Sequence, residues 1–162
     1  MTKWIGLGTI AISSVGIFFG FYYYFSGDVQ LAVAIVTATT VGLTGVLAWT
    51  RHFIFHKQDA KALGWETERP DWMFEVGFAN LGFGVAGLLA VFADMGLSSH
   101  LKAEAIALLG YSAYLFQAGL LHGYRYFTDK KKMAIRLWRY CLLTLVVAGM
   151  MAFFGIAALI HP

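Results

Sequence analysis

The sequence predicts an all-α integral membrane bundle of five transmembrane helices, with the N-terminus inside and the C-terminus outside. Three observations predict it. Five apolar runs, at about 4–25, 31–55, 72–95, 103–127 and 134–160, each have the roughly 20 residues that one helix needs to cross about 30 Å of hydrocarbon. Apolar residues make up 59% of the 162 and charged residues only 13%, against a usual charged fraction of about 25%, so a water-soluble fold would lack a surface to cover its core. The basic residues are also segregated. Lys3 precedes the first run, Arg51, Lys57, Lys61 and Arg69 flank the second gap, and Arg125, Lys130, Lys131, Lys132, Arg136 and Arg139 flank the fourth, leaving Lys102 alone on the other side. Cytoplasmic loops retain Lys and Arg, which assigns that side to the interior.

The first run, Trp4 to Phe25, is longer than the roughly 7–15 residues of a signal-peptide core, and Tyr22, Tyr23 and Tyr24 close it as an interfacial aromatic belt does. It is read as a retained helix. Ser26, Gly27 and Asp28 turn it into the second run, whose stripe of Ala38, Gly42, Gly45, Trp49, His52 and His56 lets helix backbones approach and directs both histidines into the bundle. His56 to Leu63 continues that helix beyond the hydrocarbon. Gly64 is a stop, and Pro70 forces an extended residue before the third helix, with Trp65 and Trp72 at headgroup level.

The third run contains G-x-G-x-x-G from Gly82 to Gly87. No strand precedes it, so the glycines are helix-packing positions and not a dinucleotide fingerprint. Asp94 to Lys102 makes the outer connection, where His100 and Glu104, four apart, read as a solvated helix start. Gly119 and Gly123 in the fourth run form a small-residue pair like Gly16 and Gly20 in the first. The fifth run holds Cys141, the sole cysteine, so no disulfide forms within the chain. Residues 1–162 are read as a single transmembrane helical domain without internal repeats.

Ionisable side chains inside a span are expensive and usually face the bundle interior, which makes each a functional hypothesis. His52 and His56 near the inner end of the second helix, Glu75 in the opening turns of the third and His122 near the inner end of the fourth share one leaflet. Asn80 and Gln117 lie about a turn deeper, and Arg125 and Tyr126 flank His122. Two imidazoles four apart, a carboxylate and a third imidazole are a ligand set suited to zinc or non-haem iron, with the deeper amides, Arg125 and Tyr126 in support. A haem held between His52 or His56 and His122 is a second, weaker reading. The opposing reading is a purely structural polar cluster of headgroup-level histidines, with Glu75 stabilised at its own helix N-terminus. Five histidines, of which His100 and His161 lie on the outer side, are too few for the boxes of membrane desaturases.

The segment Phe74-Glu75-Val76-Gly77-Phe78-Ala79-Asn80-Leu81-Gly82, preceded by His56-Lys57-x-Asp59-Ala60 and Leu63-Gly64-Trp65, and the later Ala118-Gly119-Leu120-Leu121-His122 carry a resemblance. Over roughly residues 50–127 the chain resembles a family of small bacterial and archaeal membrane proteins with an E-[LV]-G-F-A-N motif and an A-G-x-x-H element, to which no activity is assigned. The resemblance implies attention to Glu75, Asn80 and His122 without implying a reaction.

Three functional expectations follow: a metal- or cofactor-binding membrane protein, a non-catalytic accessory or assembly factor with a structural polar cluster, and a small proton-coupled transporter acting as an oligomer. The expected partners are the lipid bilayer and, through the Gly-rich helix faces, a second copy or a membrane complex. The net charge of +3 resides in the inner loops and speaks to lipid headgroups, not to nucleic acid. The expected location is the prokaryotic cytoplasmic membrane.

Overall fold

The structure, a computed structural model, describes residues 1–63, 65, 68, 70–93, 100–129 and 132–161, which contain helices and no strand. We number the helices α1 (Thr2–Phe25), α2 (Val29–Ile54), α3 (His56–Leu63), α4 (Asp71–Phe92), α5 (His100–Thr128) and α6 (Arg136–Ile160). All but the short α3 are long and apolar enough to cross a membrane, and their ends agree with the five apolar runs to within a few residues. Gly64, the residue before Pro70 and the 94–99 connection, to which the sequence assigned a stop, an extended conformation and an outer loop, lie outside the described residues.

The turn between α1 and α2 has an identifiable cause. Gly27 adopts φ +89°, a conformation open to a residue without Cβ. Asp28 then caps α2, its Oδ1 accepting the Leu31 N–H at 3.0 Å, which satisfies one of the donors that every helix start leaves unpaired.

α2 is the hub of the bundle. It touches α1, α4, α5 and α6, and half of its most apolar window is buried, against roughly a third for the others. Its approach to α4 requires glycine: a Cβ on Gly45 would lie 2.6 Å from the Asn80 carbonyl oxygen and 2.7 Å from Gly84 Cα, closer than any side chain tolerates. Gly84 and Gly87 pack on α2 in return, as the packing reading of G-x-G-x-x-G requires, while Gly82 faces open space.

The other small-residue faces are also used within the chain. Gly16 faces Thr39, Gly20 faces Val36 and Phe154, Gly119 faces Leu145, and Gly123 faces Cys141. The Gly-rich faces from which a second copy was expected are thus occupied by helices of the same chain, because close packing without a hydrophobic drive selects small residues for any helix pair. The outward surface instead carries large apolar side chains, including Trp4, Phe18, Phe92, Ile106 and Trp138.

Opposite the basic end, Val33, Val36, Val41, Leu108, Met151 and Phe154 form a tight core between α2, α5 and α6. Phe21 of α1 packs on a tilt against Phe153 and Phe154 there, with centroids 5.5 and 4.9 Å apart.

Irregular helix turns position the site. α2 widens into π-helical turns in its middle at Thr37–Leu43 and at the basic end at Thr50–Ile54, as does α6 at the basic end at Arg136–Leu143. Threonine hydroxyls at the ends of two of these turns donate five residues back: Thr44 to the Thr39 carbonyl at 2.9 Å and Thr144 to the Arg139 carbonyl at 3.3 Å. Such side-chain bonds compete with the regular ladder, and π turns are frequent at functional sites. At Phe55 (φ −104°, ψ 26°) α2 ends, so α3 is a separate helix and not the predicted continuation.

Candidate functional site

The π turn at Thr50–Ile54 presents Arg51 and His52 inward, and the break at Phe55 brings α3 back beneath them. Asp59 of α3 is buried at 2% exposure. Its Oδ1 lies 3.0 Å from Arg51 Nε and its Oδ2 lies 2.8 Å from His52 Nδ1. Arg51 also donates from Nη2 to His52 Nε2 at 3.3 Å. A guanidinium can only donate, so His52 Nε2 is the acceptor and the ring proton sits on Nδ1, facing the carboxylate. Both nitrogens of His52 are therefore engaged.

A second polar group lies deeper. Asn80 Oδ1 accepts from the Tyr111 hydroxyl at 2.6 Å, while its Nδ2 donates to the Tyr114 hydroxyl at 3.2 Å and to the Val76 carbonyl at 2.7 Å. Asn80 joins Met73, Gly77, Gly84 and Gly87 on the buried stripe of α4. Facing it across the bundle, Ser13 of α1 and Thr44 of α2 share a hydroxyl–hydroxyl bond of 3.0 Å.

His122 of α5 lies between two rings. Trp65 stacks on it nearly parallel at 5.7 Å, and Tyr140 of α6 lies 5.3 Å from it on a tilt. Trp65 in turn meets Trp72 edge-on at 4.5 Å. Both tryptophans line the bundle interior.

These groups surround a cavity of about 590 Å³ to which all five long helices contribute. α1 and α6 meet through the rings of Phe21 and Phe154 and where the Arg139 guanidinium packs against Gly6. Between those contacts, Thr9, Ile10, Ser13 and Ser14 on one side and Leu143, Thr144 and Val147 on the other supply cavity wall. Arg51, His52, His122, Arg139 and Tyr140 line its basic end, and Asn80, Tyr111, Tyr114 and Ser13 line the deep end, with Ile10, Val76, Leu115 and Ala118 among the apolar wall residues.

Of the expected site residues, the structure brings His52, His122, Asn80 and Gln117 to this cavity. It does not bring His56 and Glu75. The π turn and the break at Phe55 rotate His56 off the His52 face; its Nδ1 lies 3.0 Å from the Phe53 carbonyl and its ring meets Phe74 edge-on at 4.9 Å. Glu75 is exposed, because five residues of helix place it about 140° around α4 from Asn80. Arg125 is exposed and pairs with Asp129 at 3.7 Å, and Tyr126 lies beneath Lys132 at 5.8 Å, so neither supports His122.

The expected zinc or iron set of His52, His56, Glu75 and His122 is therefore not assembled. Among the described residues no three His, Cys, Asp or Glu side chains are grouped to hold a metal ion. The two nitrogens of His52 lie against Asp59 and Arg51, and the His122 ring is stacked by Trp65. On the far side, Glu104 is 2% exposed, and its Oε2 has no hydrogen-bond partner among the described residues. It is not the solvated helix start that its spacing from His100 suggested.

Sequence reasoning missed Asp59, Arg139 and Tyr140. The first had a signal: an acidic residue directly after a span, beside Arg51 and His52, needs partners wherever the chain folds back. Arg139 was read only among the basic residues that set orientation, and Tyr140 stands beside it.

No curated protein and no solved structure matches the chain. One family model does match, over residues 3–160, as the resemblance to an uncharacterised family leads one to expect. The chain belongs to DUF6790, a family of unknown function.

Proposed function

We propose that this chain is a single five-helix domain of the prokaryotic cytoplasmic membrane, N-terminus inside, that binds a small organic molecule within its bundle. The observation that carries the reading is the cavity. Its volume of about 590 Å³ falls in the range of about 300–1,000 Å³ typical of small-molecule sites, and its walls combine apolar side chains with a few convergent polar groups. A bundle built only for stability fills such a volume, because protein interiors pack to crystal-like density. The exposed apolar girdle supports the membrane setting, and the clustering of Lys and Arg at one end supports the orientation.

Two features favour a ligand site over a structural polar cluster. The Arg51–His52–Asp59 group and the Asn80–Tyr111–Tyr114 group are each bonded internally yet stand on opposite ends of an open volume. His122 and Arg139 face that volume without a carboxylate partner among the described residues. The test is native mass spectrometry of protein released from its own membrane. A one-to-one adduct is expected, and it should be lost in Ala118→Trp, which fills the cavity from α5, while the melting temperature is kept. An adduct-free wild type, or the same adduct in the filled variant, would contradict the reading.

A further inference from the structure

We propose that the occupant is an anion-headed amphiphile whose head lodges between Arg139 and Arg51 and whose tail extends toward Asn80. This rests on the reading of the cavity as a ligand site and adds the chemistry of the ligand.

The charge around the cavity is one-sided. Its lining holds two arginines and no carboxylate among the described residues. Asp59 compensates Arg51, which leaves Arg139 as a lining cation with no acidic partner among the described residues. The Arg139 guanidinium packs against Gly6 and lies 5.6 Å from the Tyr140 ring centroid. A smaller cavity of about 260 Å³ backs onto the same Arg51, Arg139 and Tyr140, and Lys3 lines it beside Asp59. Among the described residues, the two cavities are therefore lined by three cations and one carboxylate. A planar guanidinium held at such a junction suits a carboxylate or phosphate, which it can bind through two parallel N–H donors.

The deep end has the opposite character. Thr9 donates to the Ile5 carbonyl, Thr44 to the Thr39 carbonyl and Thr144 to the Arg139 carbonyl, while Ser13 pairs with Thr44. The Asn80 amide is engaged by Tyr111, Tyr114 and Val76. Polar groups bonded to one another present mainly carbon to the cavity, and together with Ile10, Leu115 and Val147 they make a wall suited to an alkyl chain. A cationic mouth followed by an apolar body selects a molecule with both parts.

The experiment measures equilibrium binding of radiolabelled laurate to the intact protein in phosphatidylcholine nanodiscs, with empty nanodiscs as the blank. Dodecanol, dodecyltrimethylammonium and inorganic phosphate serve as competitors. Laurate should bind one-to-one and be displaced weakly by dodecanol and not by the cation or by phosphate. Arg139→Gln should weaken laurate about tenfold or more and leave dodecanol unchanged. Arg139→Lys, which keeps the charge but not the paired donors, should bind laurate more tightly than Arg139→Gln and more weakly than wild type, and this graded order separates lost recognition from lost folding. Equal competition by all three dodecyl compounds, unchanged in Arg139→Gln, would overturn the anionic head while leaving the cavity site intact. Phosphate displacing laurate as well as unlabelled laurate does would overturn the tail. Absence of saturable binding by any dodecyl compound would overturn both this inference and the cavity reading.

Discussion

Changing Asp59 to Asn removes one charge and almost no volume, which isolates the electrostatics of the Arg51–His52–Asp59 group. Asp59 is fully enclosed, with its two oxygens 3.0 Å from Arg51 Nε and 2.8 Å from His52 Nδ1. An Asn can offer its oxygen to Arg51, but its NH₂ then meets the protonated Nδ1 of His52. Moving the proton to Nε2 only transfers the clash to Arg51 Nη2, which lies 3.3 Å away. One donor pair is therefore opposed in every arrangement, and the arginine loses its counter-charge. Removing one partner of a buried pair costs about 3–5 kcal/mol, and Asn keeps one acceptor, so a loss of about 3 kcal/mol is expected, or roughly 6–12 °C in melting temperature for a chain of this size. Replacing the whole group, Arg51→Met with His52→Leu and Asp59→Leu, leaves none of its polar atoms unpaired, and apolar replacement of a buried ionic group is often neutral or stabilising. The triple variant should thus be more stable than Asp59→Asn alone. Thermal unfolding in nanodiscs, followed by circular dichroism, reads both. A single variant within about 3 °C of wild type, or a triple variant below the single, would refute the reasoning.

Other outcomes follow from the packing and from the proposed orientation. Gly45→Ala should destabilise by about 1–3 kcal/mol, because its Cβ would meet the Asn80 carbonyl and Gly84 backbone, whereas Gly82→Ala, facing open space, should gain about 0.5–1 kcal/mol; thermal melts that fail to separate the two would count against the α2–α4 contact. Tyr111→Phe leaves Asn80 Oδ1 without its 2.6 Å donor and should cost about 1–3 kcal/mol, measured in the same melts. For orientation, cysteines at Ser26 and Ala62, both exposed, should report opposite sides. An impermeant maleimide applied to intact cells should label Ser26→Cys and spare Ala62→Cys, with little background from buried Cys141; the reverse pattern would invert the topology.

The spans were legible because a membrane crossing is written in composition over twenty or so residues, and no single side chain decides it. Depth was legible for the same reason: reading helix ends against the charge pattern placed His52, His122, Asn80 and Gln117 at one end, and all four line the cavity. Face was not. The pairing of His52 with His56 assumed a regular helix, in which residues four apart coincide, and the π turn at Thr50–Ile54 with the break at Phe55 removes that condition. Glu75 shows the same limit from another direction, since sharing a level with the histidines says nothing of which way α4 is turned. What fixes α4 is Gly45 against Gly84, and that contact selects Asn80 for the interior.

Asp59 and Arg139 were hidden for different reasons. Asp59 looked like one charge in a solvated loop, and only the return of α3 beneath α2 buries it. Arg139 stood among basic residues whose evident role was orientation. The structure turns it toward Gly6 and the cavity while Trp138 beside it faces outward at 68% exposure. The glycine pairs were read correctly as packing positions, but whether they join helices of one chain or of two is a tertiary question that the spacing of small residues does not answer.

The most direct measurement is a crystal structure of the protein grown in lipidic mesophase with 12-bromododecanoate, located by bromine anomalous scattering. The bound carboxylate should lie within hydrogen-bond reach of Arg139, with the bromine peak deep in the cavity near Ser13, Leu115 and Val147. Bromine found only in the surrounding bilayer, or a cavity closed by its own side chains, would contradict the account.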